Sequence, residues 1–168
     1  METLFENSYV RDKKFAKEVY RFMYFRYPVN FVIHIIMILS FVCQLYLHIE
    51  DPYLSNAGYL LIVPVYFLMV VLRYKVSVKT MLKRDIELHG SEMSVRMTVT
   101  DACIQSTFSN GSVNTMKYDN IKVVRKTKYL ILVQSKAKLV HSFQRDAFSV
   151  GTEDAFLAFL KDKGVKVK

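Results

Sequence analysis

The stretch VNFVIHIIMILSFVCQLYLHI (residues 29–49) and the stretch YLSNAGYLLIVPVYFLMVVL (residues 53–72) decide how this chain is built. Neither contains Asp, Glu, Lys or Arg. An α-helix rises about 1.5 Å per residue, so about 20 apolar residues cross a hydrocarbon core about 30 Å thick. The residues between the two runs, Glu50, Asp51 and Pro52, are typical of turns. We therefore predict a transmembrane hairpin of two helices over residues 29–72.

Basic residues flank this hairpin on both sides, and the connecting loop has none. Since Lys and Arg near membrane helices are retained in the cytoplasm, we predict a multi-pass protein of the cell membrane with both termini cytoplasmic. Residues 73–89 have helical spacing and form a predicted basic juxtamembrane helix, which serves either as a contact for anionic lipid or as a rigid spacer. Its basic residues are Arg73, Lys75, Lys79, Lys83 and Arg84.

Residues 1–28 mix aromatic and charged side chains, as in Phe15, Lys17, Tyr20 and Arg21. Aromatic rings and long basic side chains are favoured at the membrane–water interface. We predict an amphipathic cytoplasmic leader that lies at this interface. The alternative is a solvated leader whose aromatic rings pack on the soluble domain.

Polar side chains also occur inside the first apolar run, and they predict helix pairing rather than a conduction path. Ser40 and Gln44 are four residues apart, so they share one helix face, which we expect to turn towards the second helix. Cys43 in this run and Cys103 in the soluble part have no short spacing, so neither a metal site nor a redox pair is indicated.

Residues 90–168 change from helical spacing to the two-residue alternation of β-strands. The Ser109-Asn110-Gly111 turn between two short strands is a strong hairpin signal, because Asn and Gly tolerate positive φ. Residues 152–163 end the chain as a predicted amphipathic helix that begins at the N-cap Thr152. The predicted fold class is α+β: a two-helix transmembrane hairpin followed by a pleckstrin-homology-like β-barrel or sandwich with a C-terminal capping helix.

Four short motifs follow one another in a fixed order: TVTDACI at 98–104, YDNI at 118–121, FQRDAF at 143–148 and GTEDAF at 151–156. In their order and spacing, across about residues 28–163, they resemble the YcxB-like family of bacterial membrane proteins. The resemblance implies a membrane hairpin followed by a C-terminal pleckstrin-homology-like domain. It implies no catalytic residues.

Sequence motifs for nucleotide, zinc or nucleophile chemistry are absent from the chain. The four histidines are scattered, and His141 and Ser142 are neighbours in a predicted strand, so their side chains point to opposite faces. We therefore predict no enzyme activity, no cofactor and no metal. The formal net charge of +9 suggests contact with anionic lipid before nucleic acid, and no nucleic-acid partner is predicted.

One basic constellation remains, in the connection between two predicted strands. Lys122, Arg125, Lys126 and Lys128 lie within seven residues of one another. They form a candidate site for lipid phosphate or an acidic partner, together with the basic residues of 73–89. The alternative is a solvated basic turn that faces an anionic leaflet.

Two functional hypotheses follow. The first is a non-enzymatic membrane protein whose cytoplasmic domain recruits or regulates another protein, through a protein partner or a homo-oligomer. An exposed apolar groove or sheet edge would favour it. The second is an anionic-lipid-sensing or accessory transport subunit, in which the hairpin and the basic turn act on the membrane lipids.

Overall fold

A computed structural model describes residues 2–50, 57–137 and 139–168. The helices are α1 (Lys13–Arg21), a π-helical turn (Phe22–Arg26), α2 (Pro28–Glu50), α3 (Ala57–His89), a 3-10 turn (Tyr118–Asn120) and α4 (Glu153–Asp162). The strands are β1 (Phe5–Val10), β2 (Ser94–Val99), β3 (Cys103–Phe108), β4 (Val113–Lys117), β5 (Ile121–Lys126), β6 (Leu130–Ser135), β7 (Val140–Gln144) and β8 (Phe148–Val150). The protein is α+β, as predicted: two long apolar helices precede antiparallel sheets and a C-terminal helix.

The chain divides into two compact units. The sheet unit contains Met1–Glu18 and Leu82–Lys168, and the helical unit contains Val19–Met81. In sequence, the two long helices therefore interrupt the sheet unit, with β1 before them and all other described strands after them.

The two long helices have the length and composition of membrane spans, at Pro28–Glu50 and Leu60–Leu88. Only 6% and 11% of their most apolar segments are buried. A helix in the core of a soluble protein would bury most of these side chains, whereas a lipid-facing helix exposes them. The segments predicted as residues 53–72 and 73–89 form one continuous helix, α3, from Ala57 onwards. The predicted turn at residues 51–56 lies outside the described residues.

Within the helical unit, the less exposed residues of α2 recur every three or four positions, at His34, Met37, Phe41 and Gln44. This spacing gives one stripe along the helix. The helix-pairing prediction is wrong for Ser40, which is exposed and lies off this stripe.

The sheet unit contains two antiparallel sheets. The first has the strand order β4-β3-β2-β1-β8 and the second has the order β5-β6-β7. Strands β2 to β8 all lie within the predicted β-region, residues 90–168, and the predicted Asn-Gly hairpin joins β3 to β4. The C-terminal helix is also confirmed: the Thr152 hydroxyl accepts a hydrogen bond from the Ala155 amide at 3.3 Å, so Thr152 is its N-cap.

The core of the sheet unit lies between the sheets and under α4. Phe156 of α4 is fully buried, with its ring centroid 4.5 Å from that of Phe143 in β7 and 5.6 Å from that of Phe5 in β1. One helix therefore contacts both sheets through a single aromatic residue. Helix α4 caps the core as the sequence predicts.

The N-terminal segment differs from the leader that the sequence analysis describes. Residues Phe5–Val10 form a strand that lies inside the first sheet, paired with β2 on one side and β8 on the other. Phe5, Asn7 and Tyr9 point inwards and are buried. The alternation in β1 was hidden because its central inward residue is Asn, and because β2 begins more than 80 residues later in the sequence.

Asn7 connects the two sheets. Its amide Nδ2 donates to the Gln144 carbonyl at 2.7 Å, and its Oδ1 accepts from the Gln144 amide at 3.1 Å. These two bonds satisfy both backbone groups of a residue at the end of β7, in the way that a paired strand would. A fully buried polar side chain thus replaces backbone pairing between β1 and β7.

Candidate interaction surfaces

The predicted basic cluster lies at the end of β5 and in the turn that leads to β6. The Thr127 hydroxyl accepts from the Leu130 amide at 3.1 Å, and the Thr127 amide donates to the Leu130 carbonyl at 2.8 Å. Arg145 adds two contacts of 3.4 Å from its Nη1 to the carbonyls of Thr127 and Lys128. The turn therefore has a fixed backbone.

The structure separates the members of this cluster. The Lys126 Nζ lies 2.7 Å from the Glu153 carboxylate, which also accepts from Arg145 at 2.8 Å. Burial raises the pKa of Glu153, but the hydrogen bonds from Arg145 and Lys126 outweigh that effect and hold its pKa below the ordinary value. Glu153 therefore stays ionised and neutralises Lys126. Arg125 is half-buried, and Lys122 is exposed on β5.

The basic residues of α3 are divided between the two units. Arg73, Lys75 and Lys79 are exposed in the helical unit, and Lys83 and Arg84 are exposed in the sheet unit. Lys83 forms an exposed ion pair with Glu87 at 3.2 Å, four residues on. Such a pair contributes little to stability, and it partly neutralises the basic helix.

Lys128 has a neighbour that the sequence did not indicate. Its Nζ lies 5.2 Å from the centroid of the Tyr129 ring, and the Nζ of Lys14 in α1 lies 4.0 Å from the same centroid. The Lys128 backbone amide donates to the carboxylate of Glu18, also in α1, at 3.1 Å. Two lysines that are distant in sequence therefore lie beside one aromatic ring. Sequence proximity could not reveal this pair, because it depends on α1 packing against the β5–β6 turn.

A buried serine and histidine form a second unpredicted pair. The Ser106 hydroxyl in β3 lies 2.5 Å from Nδ1 of His141 in β7, and the two residues are 2% and 8% exposed. Burial lowers the pKa of His141, which favours the neutral imidazole. Ser142 lies next in the strand and is buried as well. A substrate has no access to a hydroxyl that is 2% exposed, so we assign the Ser106–His141 pair a role in holding the two sheets together.

His34 forms a polar contact inside the helical unit. Its Nδ1 lies 2.9 Å from the Tyr66 hydroxyl of α3, and its Nε2 lies 2.9 Å from the Tyr24 carbonyl. Because a carbonyl only accepts, Nε2 is the donor, and a neutral ring then accepts from Tyr66 at Nδ1. His34 and Tyr66 therefore form a polar contact between α2 and α3, whereas Ser40 is exposed.

The sheet edges differ in what covers them. The edge of β5 pairs with the C-terminal segment, where the Val124 amide donates to the Lys166 carbonyl and the Lys168 amide donates to the Val124 carbonyl, both at 2.9 Å. The edge at β8 is only three residues long. Strand β4, at the other end of its sheet, pairs only with β3 among the described residues, and Val113, Asn114 and Thr115 are exposed. It has neither Pro nor a bulge, and its one charged residue, Lys117, stands at its end.

Within the described parts of the chain, no group of three or more His, Cys, Asp or Glu side chains could hold a metal ion. No family model, curated protein or solved structure matches this chain. Its functional interpretation therefore depends on its own surfaces.

Proposed function

We propose that this chain is a non-enzymatic integral membrane protein, with a cytoplasmic pleckstrin-homology-like domain that recruits or regulates another protein. The membrane part of the proposal is supported by two exposed apolar helices that are long enough to span a bilayer. The domain part is supported by a four-strand meander (β1 to β4), a three-strand meander (β5 to β7) and a closing helix. The same layout fits membership of the YcxB-like family.

The pairing of β1 with β2 supports the proposed topology. These strands precede and follow the two long helices, and they are hydrogen-bonded neighbours over six residue pairs. A chain that leaves one strand and returns to its neighbour must cross the membrane an even number of times. Two crossings satisfy this condition, and the basic residues on both flanks favour the cytoplasm as the shared side.

The observation that carries the recruiting function is the open edge of β4. An unpaired edge offers its backbone N–H and C=O groups to an extended segment of a partner, which binds by adding a strand to the sheet. Of the other three edges, that of β5 pairs with the C-terminal segment, that of β8 is three residues long, and that of β7 is bonded at Gln144 by the Asn7 side chain of β1. We infer that the partner protein, which can be a second copy of this chain, pairs with β4.

Photo-crosslinking in native membranes tests this proposal. A benzophenone amino acid is placed at position 113 of the full chain, and the control places it at position 150, an exposed position of β8 at the other end of the same sheet. We expect a specific adduct only from position 113. An adduct of twice the chain mass would identify a second copy as the partner.

A matched pair of substitutions completes this test. Thr115→Lys adds a charge to the open edge, which disfavours strand pairing, and should abolish the adduct. Ser8→Lys adds the same charge at an exposed position of β1, inside the sheet, and should leave the adduct unchanged. Equal adducts from positions 113 and 150, or an adduct that survives Thr115→Lys, would contradict the proposal.

Protease protection tests on which side of the membrane the sheet unit lies. Protease added to intact spheroplasts should leave the sheet unit uncut, and protease added to inverted vesicles should digest it. The reverse pattern would place the termini outside the cytoplasm.

The alternative function, anionic-lipid sensing or an accessory role in transport, is favoured by a different observation. Lys14 and Lys128 meet at one aromatic ring on the sheet unit.

A further inference from the structure

We propose that Lys14, Lys17 and Lys128 form a binding site for the phosphate of anionic lipid headgroups, which we call the α1 phosphate site. The inference uses the membrane anchoring of the proposed function and does not require a protein partner. It shifts the predicted lipid contact from Arg125 and Lys126 to helix α1.

The lysines of this site form no ion pair within the described residues, and they differ from other exposed lysines such as Lys117 in being gathered around Tyr129 and Glu18. Ion pairs within the described residues engage Arg11, Lys83, Arg96, Lys126, Arg145 and Lys163, and they do not include Lys14, Lys17 or Lys128. The two acidic residues in and next to α1 each accept a hydrogen bond from a backbone amide. Asp12 caps the helix by accepting from the Phe15 amide at 2.7 Å, and Glu18 accepts from the Lys128 amide. Neither carboxylate therefore forms an ion pair with the ammonium groups of Lys14, Lys17 or Lys128.

The packing of α1 fixes where these charges point. Phe15, Ala16 and Glu18 are buried against the rest of the sheet unit, which leaves Lys14 and Lys17 on the exposed face of the helix. These two are three residues apart and so lie on neighbouring turns. Glu18 is 5% exposed and anchors the backbone of Lys128, so it brings the third lysine to the same helix. The Tyr129 ring then contacts the ammonium groups of both Lys14 and Lys128, which orders two long side chains.

The chain connection favours a lipid as the source of the phosphate. Lys17 precedes Pro28, the first residue of α2, by eleven residues. Even fully extended, a segment of this length reaches at most about 40 Å, so the chain itself limits how far the site can move from the first residue of α2. Lysines near an anionic leaflet each gain about a factor of five in binding from the surface potential. The geometry points to a headgroup phosphate held between α1 and the β5–β6 turn.

Lysine acetylation of the full-length protein tests this site. The protein is reconstituted in nanodiscs of phosphatidylcholine alone, or with phosphatidylglycerol added, and the reaction rate of each lysine is measured by mass spectrometry. We expect Lys14, Lys17 and Lys128 to react about fivefold more slowly in the anionic nanodiscs, and high salt should remove the difference. Lys117 and Lys166, exposed on β4 and in the C-terminal segment, are internal controls that should not change.

Substitutions then test whether the lysines act together. Lys14→Gln should remove most of the protection of Lys128, because the phosphate loses one of its partners. Lys117→Gln, the matched control, should leave that protection intact. Protection of Lys128 that is unaffected by Lys14→Gln would contradict a shared site.

The remaining outcomes each overturn the proposal. Equal rates in neutral and anionic nanodiscs would exclude a lipid site. Protection by soluble glycerol phosphate in neutral nanodiscs would identify a small-molecule site instead. Protection that occurs in native membranes but in neither reconstituted sample would identify an acidic protein as the ligand. A chain that fails to enter nanodiscs at all would instead refute the membrane anchoring.

Discussion

Replacing Asn7 by Ala tests the most unexpected part of the fold, the position of β1 inside the sheet unit. Asn7 is fully buried, and it is bonded to both backbone groups of Gln144. The substitution removes two hydrogen bonds. It leaves the Gln144 amide without a partner, whereas the Gln144 carbonyl still accepts from the Ala147 amide at 3.2 Å. It also removes the three heavy atoms of a fully buried amide group, so a small cavity adds to the cost.

The magnitude follows from the unpaired amide, the second lost hydrogen bond and the cavity. An unsatisfied buried backbone group costs about 1–3 kcal/mol, and a hydrogen bond contributes about 1 kcal/mol. Gln144 is half-buried, so water can reach part of it, and its amide belongs near the lower end of that range. The cavity adds a further cost of about the same size. We expect Asn7→Ala to lower the free energy of unfolding by about 2–4 kcal/mol. For a unit of this size, that loss corresponds to a fall in Tm of roughly 10–20 °C.

Denaturant unfolding of the full chain in detergent, followed by hydrogen exchange, measures this effect. Amides of both β1 and β7 should lose protection together in the variant. Asn114→Ala is the matched control, because Asn114 is exposed on β4, and such changes stay within about 0.5 kcal/mol. Asn7→Asp should also destabilise at neutral pH, since a carboxylate cannot donate to the Gln144 carbonyl. If Asn7→Ala and Asn114→Ala behave alike, residues 5–10 do not form this strand and our reasoning is wrong.

Three further predictions concern the same unit. Gly151 and Gly164 both have φ near +77°, but only at Gly151 would a Cβ meet the Phe5 ring, so Gly151→Ala should cost about 1–3 kcal/mol more than Gly164→Ala in denaturant unfolding. Equal costs would show that Phe5 is not packed there. Because folding lowers the pKa of His141, the protein should lose stability as the pH falls below the ordinary value of 6.5. His141→Gln should therefore reduce the pH dependence of the free energy of unfolding between about pH 7 and 5. An unchanged pH dependence would contradict burial of His141 as a neutral ring. Because folding also lowers the pKa of Glu153, the wild type should lose further stability below its ordinary value of 4.5, and Glu153→Gln should remove that second step in the same acid titration.

The strands after the hairpin could be predicted from the sequence because their signals are local. In β2 the buried residues Val95, Met97 and Val99 alternate with more exposed ones, and an Asn-Gly turn joins β3 to β4. Strand β1 carries no such signal. Its inward positions include Asn7, and its partner strands form only after the long helices have been completed in sequence.

The local sequence also failed to predict which positive charges are available for binding. Arg125, Lys126 and Lys128 are adjacent in sequence, and that adjacency suggested a single positive cluster. Lys126 forms an ion pair with Glu153 of α4. Lys128 lies beside the Tyr129 ring together with Lys14 of α1. Which cations remain available depends on tertiary contacts, and a single sequence does not encode these in any local pattern.

The position of the hairpin between β1 and β2 has a consequence for biosynthesis. Strand β1 leaves the ribosome before the membrane helices, and its partner β2 follows only after both of them. On the proposed topology, the two strands meet only if both helices insert. A chain in which one helix failed to cross would hold β1 and β2 on opposite sides of the membrane, and the sheet could not close. The sheet would thus be completed only in correctly inserted chains. Misinserted chains would expose an unpaired strand to cellular proteases.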